Sequence, residues 1–294
     1  MKKYIISAVF LALSVATYCL FDGDFTDYRM SLVTFFELAF LAMAIGQLLP
    51  KKEMLESKSG KRKLSKSTII SILLCIVLMP ITVLLGGKLF GDRRYYVTSL
   101  LLILEIMLPF FMAFEGKKPK AEELVIISVL CAIAVLGRCA FYTLSQFKPT
   151  LAVVIIVGTA FGGEVGFLVG AISAFVSNMF FGQGPWTPWQ MLATGVVGLF
   201  AGVIFKSLNV KKSRIALCVY GGLATILLYG GILNPASVIM YQPEVTLQEI
   251  LTFYISGLPF DLIHAESTVF FLWLIAVPML NSLDRVKSKY GIME

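Results

Sequence analysis

The residues best suited to bind a small molecule surround one uncharged turn, residues 182–189 (GQGPWTPW). Two glycines and two prolines interrupt any continuous helix there. Trp186 and Trp189 supply aromatic surface, while Asn178 and Gln183 supply uncharged hydrogen-bonding groups. A rigid aromatic rim with amide groups suits a neutral, partly apolar ligand. The alternative is that the tryptophans only anchor the chain at a membrane interface.

Three ionisable residues in apolar surroundings are further candidates. Arg138 lies in the outer half of an apolar segment, where a charge is costly and usually faces a cavity or a partner. It could bind an anionic substrate group, extend outward to water, or pair with an acid such as Asp261. His264 is the only histidine, and a lone histidine makes a poor metal site. Helix capping is the alternative role for Asp261.

Several motifs of known chemistry are missing from the sequence. There is no Gly-x-x-x-x-Gly-Lys-Ser/Thr loop, no His-Glu-x-x-His and no Gly-x-Ser-x-Gly. The five cysteines lie in or beside apolar segments without metal-type pairing, which indicates buried small residues. We therefore predict no catalytic residue, no metal and no cofactor in this chain.

The elements that carry these residues are membrane helices. Of the 294 residues, 58% are hydrophobic and 15% charged, whereas soluble domains are about a quarter charged. Apolar runs of about 20 residues, enough to cross a bilayer as a helix, recur along the chain. The sequence therefore predicts an all-α polytopic membrane protein with ten spans: 4–20, 31–49, 67–86, 97–114, 124–145, 150–161, 164–181, 189–205, 214–233 and 262–280.

The net charge of +7 indicates orientation in a membrane and no nucleic-acid partner. If both termini are cytoplasmic, nineteen basic residues lie inside and five outside. This asymmetry predicts a multi-pass protein of the cell membrane with both termini in the cytoplasm.

The chain divides near residues 115–123 into two predicted modules. Residues 1–118 form a four-helix membrane module of unknown role, and residues 119–294 form a bundle of six segments. The second of these, 150–161, is too short, because twelve helical residues rise only about 18 Å against a core of about 30 Å. It requires cover from protein or a water-filled cavity, or else a thinned bilayer around a tilted helix.

Small residues predict a tight helix pair. They recur every four residues in two segments, at Gly162, Gly166, Gly170 and Ala174, and at Thr194, Gly198 and Gly202. This spacing lets two helix backbones approach closely. A second prediction concerns residues 234–261, which carry no Lys or Arg and are expected to form an ordered outer loop.

Residues 158–202 resemble the third and fourth helices of the substrate-binding S-components of energy-coupling factor (ECF) vitamin transporters. The likeness extends to six helices over 124–280 with a short second helix. It implies a high-affinity pocket facing outward, and partnership with a transmembrane coupling protein and two cytoplasmic ATPases. Such proteins often dock through Ala-x-x-x-Ala in the first helix, a spacing that residues 131–140 lack, so the glycine-rich hairpin could share that role. The Gly-Gln-Gly-Pro-Trp-Thr turn is most similar to S-components associated with cobalamin.

The predicted function is therefore vitamin uptake as an ECF S-component embedded in the lipid bilayer, with cobalamin as the first candidate substrate. The predicted substrate contacts are Arg138, Asn178, Gln183, Trp186, Trp189, Asp261 and His264. Two alternatives are a membrane enzyme acting on a lipid or prenyl substrate, and a proton-coupled secondary transporter using Glu37 or Glu105, the acids within the first four spans.

Overall fold

The computed structural model describes residues 121–207, 213–242 and 246–291, together with scattered positions between 69 and 105. All regular structure in these ranges is helical, which confirms the all-α membrane class. The predicted module 1–118 lies almost entirely outside the described residues, as do its four spans and Glu37. The division into two modules stays a prediction.

Six helices follow one another from residue 121 to residue 290. Five of them are long and apolar enough to cross a membrane, and α2 is too short. Helices α4 and α5 each contain a widened π-helical segment, Val203–Ser207 and Thr225–Gly230. The helices are α1 (Ala121–Ala140), α2 (Thr150–Phe161), α3 (Gly163–Phe181), α4 (Trp186–Ser207), α5 (Arg214–Tyr241) and α6 (Leu247–Tyr290).

The predicted long outer loop at 234–261 is wrong. Helix α5 continues to Tyr241, and α6 begins at Leu247, where the Thr246 hydroxyl caps it by accepting from the Glu249 N–H at 3.2 Å. Two prolines of this segment, Pro235 and Pro259, lie inside the two helices. Membrane helices tolerate proline because neighbouring groups satisfy the freed backbone.

The turn between α3 and α4 is shorter than predicted. It contains only residues 182–185, and α4 begins at Trp186. Gly182 has φ +100°, a conformation that favours glycine. Trp186 and Trp189 are therefore helical residues in the first turn of α4.

Helix α2 is enclosed by the rest of the bundle, since all twelve of its residues are buried. Lysine side chains from two other helices donate hydrogen bonds to its last carbonyls. Lys206 Nζ donates to the Phe161 carbonyl at 2.8 Å, and Lys287 Nζ donates to the Ala160 carbonyl. Positive charge is favourable at a helix C-terminus, so these contacts stabilise that end of α2.

Backbone contacts between glycines join α2, α3 and α4. A Cβ added at Gly166 would lie 2.5 Å from the Gly198 carbonyl oxygen, and one added at Gly170 would lie 2.6 Å from that of Thr194. A Cβ added at Gly202 would lie 2.1 Å from the Gly163 backbone nitrogen. Gly162, with φ +110°, instead forms the turn from α2 to α3.

The outer surface of the bundle is apolar. Exposed aliphatic side chains recur every four residues along α5, at Ile215, Val219, Leu223 and Leu227. Such a continuous stripe is unfavourable in water and suits contact with lipid.

Gly198→Ala should lower the melting temperature of the detergent-purified protein by several degrees. The new methyl group would overlap the Gly166 carbonyl, and overpacking of this kind costs about 1–3 kcal/mol. Gly231→Ala is the matched control, because a Cβ there meets open space. Equal melting temperatures for the two variants would contradict the described packing.

Candidate functional site

A cavity of about 110 Å³ lies where α1 ends and α2 begins. Gln146 both lines it and is exposed, so the cavity reaches the surface there. Leu151, Ala174 and Thr194 supply part of the wall. The rest of the wall is polar: Arg138, Lys148, Thr150, Gln190, Tyr229 and His264.

Arg138 is held at the cavity by α3. Its Nη1 donates to Ser177 Oγ at 2.5 Å and to Asn178 Oδ1 at 2.7 Å. Its guanidinium carbon lies 4.6 Å from the centre of the Phe181 ring. Neutral hydrogen-bond acceptors and an aromatic face therefore hold the guanidinium, which pairs with no carboxylate in the part of the chain that the structure describes.

Asn178 is the hub of a polar network that joins three helices. Besides accepting from Arg138, its amide donates to Thr187 Oγ1 at 3.1 Å and to Gln190 Oε1 at 2.8 Å. Thr187 in turn donates to Gln183 Oε1 at 2.8 Å. The network fixes the side chain of Gln190 at the cavity wall and ties the turn at 182–185 to α4.

Lys148 brings a second cation to the cavity from the loop before α2. Its Nζ also lies 4.6 Å from the Phe181 ring centre, and its carbonyl oxygen accepts from Ser267 Oγ at 2.9 Å. Burial lowers the pKa of the Lys148 ammonium, and the charge of Arg138 lowers it further. The charged form of Lys148 is therefore less favourable beside the charge of Arg138.

Two polar side chains at the cavity are buried without a hydrogen bond. Thr150 is only 8% exposed, and its hydroxyl oxygen has no partner. His264 is also 8% exposed, and its ring packs edge-on against Tyr229 with centroids 4.7 Å apart. The described residues give the imidazole no hydrogen-bond partner, and they contain no group of three or more potential metal ligands.

The seven predicted contact residues fall into three sets. Arg138 and His264 line the cavity. Asn178 and Gln183 lie behind its wall in the hydrogen-bond network. The others lie elsewhere: the Trp186 ring contacts Gly184, Trp189 is in the apolar core, and Asp261 accepts from Asn234 at 2.8 Å. Substrate contact by any of these residues stays a prediction.

Sequence reasoning missed most of the cavity wall. In the sequence, Lys148 is one of the five basic residues expected outside, and Tyr229 and Gln190 lie within predicted apolar spans. One signal pointed to Lys148 and Thr150. Thr150 begins the segment that is too short to span the membrane, and Lys148 lies just before it, so this polar end must lie at membrane depth.

Asn178→Ala should lower the melting temperature of the detergent-purified protein. The substitution removes an acceptor from the half-buried Arg138 and a donor from Gln190, and an unsatisfied buried polar group costs about 1–3 kcal/mol. Thr252→Ala is the control, because that hydroxyl is exposed and bonds only within its own helix. If both variants melted at the wild-type temperature, the network would not stabilise the bundle.

Proteins similar in sequence cover part of the chain. A UPF0397 protein of Aliivibrio salmonicida is 31% identical over 102 residues, which make up 33% of this chain and 55% of that protein. A UPF0397 protein of Vibrio atlanticus is 34% identical over 88 residues, 28% of this chain and 48% of that protein. The chain spans about half the length of the curated relatives it matches. No solved structure matches it.

The family model described as "ECF-type riboflavin transporter, S component" matches residues 118–285, more than half of the chain. S-components are the substrate-binding subunits of transporters and are not enzymes. The match confirms the resemblance to S-components that the glycine-rich segment predicted. By this match, and with its apolar helices, the chain is a multi-pass membrane protein that belongs to the family of ECF-type riboflavin transporter S components.

Proposed function

We propose that this chain is the substrate-specific subunit of an ATP-driven ECF-type vitamin importer and that it binds its substrate in the cavity beside α2. The observation that carries the proposal is the polar wall of that cavity within an otherwise apolar bundle. Buried charged and amide groups are costly in a protein surrounded by lipid, and they usually mark a substrate path. The family match supplies the class of protein.

The cavity volume bears on the choice of vitamin. An apolar cavity of about 150 Å³ holds one benzene molecule, so 110 Å³ holds only one end of a flavin or a corrinoid. Cobalamin, suggested by the turn at 182–187, and riboflavin, named in the family description, both remain candidates to be tested. In either case the larger part of the molecule would lie outside the cavity, beyond Gln146.

The distribution of charge supports a cavity that opens to the exterior. The loop of Lys148 and the turn at 182–185 lie at one end of the bundle, where α1 and α3 end. Lys206 and Lys287 lie at the opposite end of α2. With the predicted cytoplasmic termini, the cavity faces the medium from which a vitamin is captured.

Energy for import would come from partner subunits, because the sequence contains no nucleotide-binding loop of the Gly-x-x-x-x-Gly-Lys-Ser/Thr type. The proposed partners are a transmembrane coupling protein and two cytoplasmic ATPases. Co-purification from the native membrane, followed by mass spectrometry, should recover all of them together with a bound vitamin. Recovery of the chain with no membrane or ATPase partner would contradict this part of the proposal.

The purified chain alone should bind a vitamin with a dissociation constant below about 1 μM, the range useful for scavenging. Isothermal titration with a panel that includes cobalamin and riboflavin measures it, with no ATP or ATPase present. Absence of binding by every vitamin in the panel would count against the proposed function. Metal-dependent turnover of a lipid would instead favour the enzyme alternative.

Ala174→Leu should weaken vitamin binding at least about tenfold, because the longer side chain projects into the space that the substrate occupies. Ala132→Leu makes the same change at an exposed position of α1 and should leave the affinity unchanged. Normal affinity in the Ala174 variant, with an unchanged melting temperature, would place the substrate outside this cavity.

A further inference from the structure

The cavity carries positive charge that no described group balances. Arg138 and Lys148 both line it, and both approach the Phe181 ring. The ring offsets only part of the cost of burying them. Among the described residues neither cation pairs with a carboxylate, and no acidic side chain lines the cavity.

The two ends of α2 differ in how their backbone groups are satisfied. At the C-terminus, Lys206 and Lys287 donate to the last carbonyls, as the helix dipole favours. At the N-terminus, the first-turn residues Thr150 and Leu151 line the cavity. N–H groups in the first turn of a helix have no partner within the helix. The positive end of the dipole therefore faces two cations, which is unfavourable unless an anion lies between them.

Two buried side chains also lack the partners that buried polar groups normally have. The Thr150 hydroxyl is unpaired at a residue only 8% exposed. The His264 imidazole is equally buried at the cavity wall, without a described partner. A ligand with acceptor oxygens in the cavity would satisfy the hydroxyl and an N–H of the imidazole.

We infer that the cavity binds an anionic group of the substrate, a carboxylate or a phosphate, at the N-terminus of α2. Lys148 and Arg138 would balance its charge, and the first-turn N–H groups and the Thr150 hydroxyl would donate to its oxygens. The inference rests on the proposed function and narrows it from vitamins in general to acidic ones. The volume of 110 Å³ suits such a group with a few attached atoms.

Matched pairs of ligands test the inference. Each pair shares one skeleton and differs in the charged group: nicotinate and nicotinamide, pantothenate and pantothenol, biotin and biotinamide, flavin mononucleotide and riboflavin. In at least one pair the acid should bind about ten- to hundredfold more tightly than its neutral partner, the range expected for hydrogen bonds to a charged group. Equal or tighter binding of the neutral member in every pair that binds would overturn the inference.

Two substitutions locate the effect at α2. Lys148→Gln should weaken the acid about tenfold and leave the neutral member unchanged. Thr150→Val should weaken the acid several-fold without lowering the melting temperature, because the hydroxyl has no partner in the free protein. Lys289→Gln, which removes a charge from an exposed position near the end of α6, is the control. Equal loss of affinity in both lysine variants would indicate a general charge effect and contradict the assignment.

Two further measurements keep the possible failures apart. If only riboflavin binds, which carries neither a carboxylate nor a phosphate, and Ala174→Leu abolishes that binding, the proposed function stands and the anionic site fails. If no vitamin binds and phosphate or sulfate fails to raise the melting temperature above that in chloride of equal ionic strength, the anionic site also fails.

Titration in phosphatidylcholine nanodiscs with and without phosphatidylglycerol should give the same affinity for the acid. Competition by the anionic lipid would assign the site to a lipid headgroup and overturn the assignment to substrate.

Discussion

The length of α2 is the constraint on which the rest of the described bundle depends. Twelve residues cannot cross a bilayer, so both ends of this helix lie within the protein, where unpaired backbone groups are costly. Two lysines from α4 and α6 satisfy the carbonyl end. At the amide end, the side chain at the N-cap position accepts no hydrogen bond, and the first-turn residues Thr150 and Leu151 line the cavity. A single short helix thus explains both its complete burial and the position of the cavity.

The polar network follows from the same constraint. A guanidinium beside the cavity needs acceptors, and α3 supplies them through Ser177 and Asn178. Asn178 needs acceptors for its own amide protons, and α4 supplies these through Thr187 and Gln190. Each of these polar groups therefore requires the next, so the network joins three helices. None of its members among the described residues is a carboxylate that would pair with Arg138 at the cavity.

The sequence predicted the helices better than it predicted the site. Apolar length and charge asymmetry are averaged over many residues, so the membrane class and the short α2 could be read directly. The helical course of residues 234–241 and 247–261 could not be predicted, because Pro235 and Pro259 are tolerated in a helix only where neighbouring groups satisfy the freed backbone. The contacts of Trp186 with Gly184 and of Trp189 with the core could not be predicted, because they depend on the packing of α4. Tyr229 and Thr150 carry no motif at all, and only the packing of α5 and α2 brings them to the cavity.

The same helix pair that packs most tightly also opens the cavity. Positions at intervals of four along α3 are Gly166, Gly170, Ala174 and Asn178, and along α4 they are Gly202, Gly198, Thr194 and Gln190. Both rows change from glycine to an amide in the same direction. At the glycine end the backbones touch, whereas at the other end Asn178 and Gln190 hydrogen-bond at 2.8 Å. Ala174, Thr194 and Gln190 all line the cavity, so the cavity lies at the end of the helix pair where the rows carry the larger side chains. The small residues therefore bring the backbones of α3 and α4 into contact, and the cavity begins where larger side chains replace them.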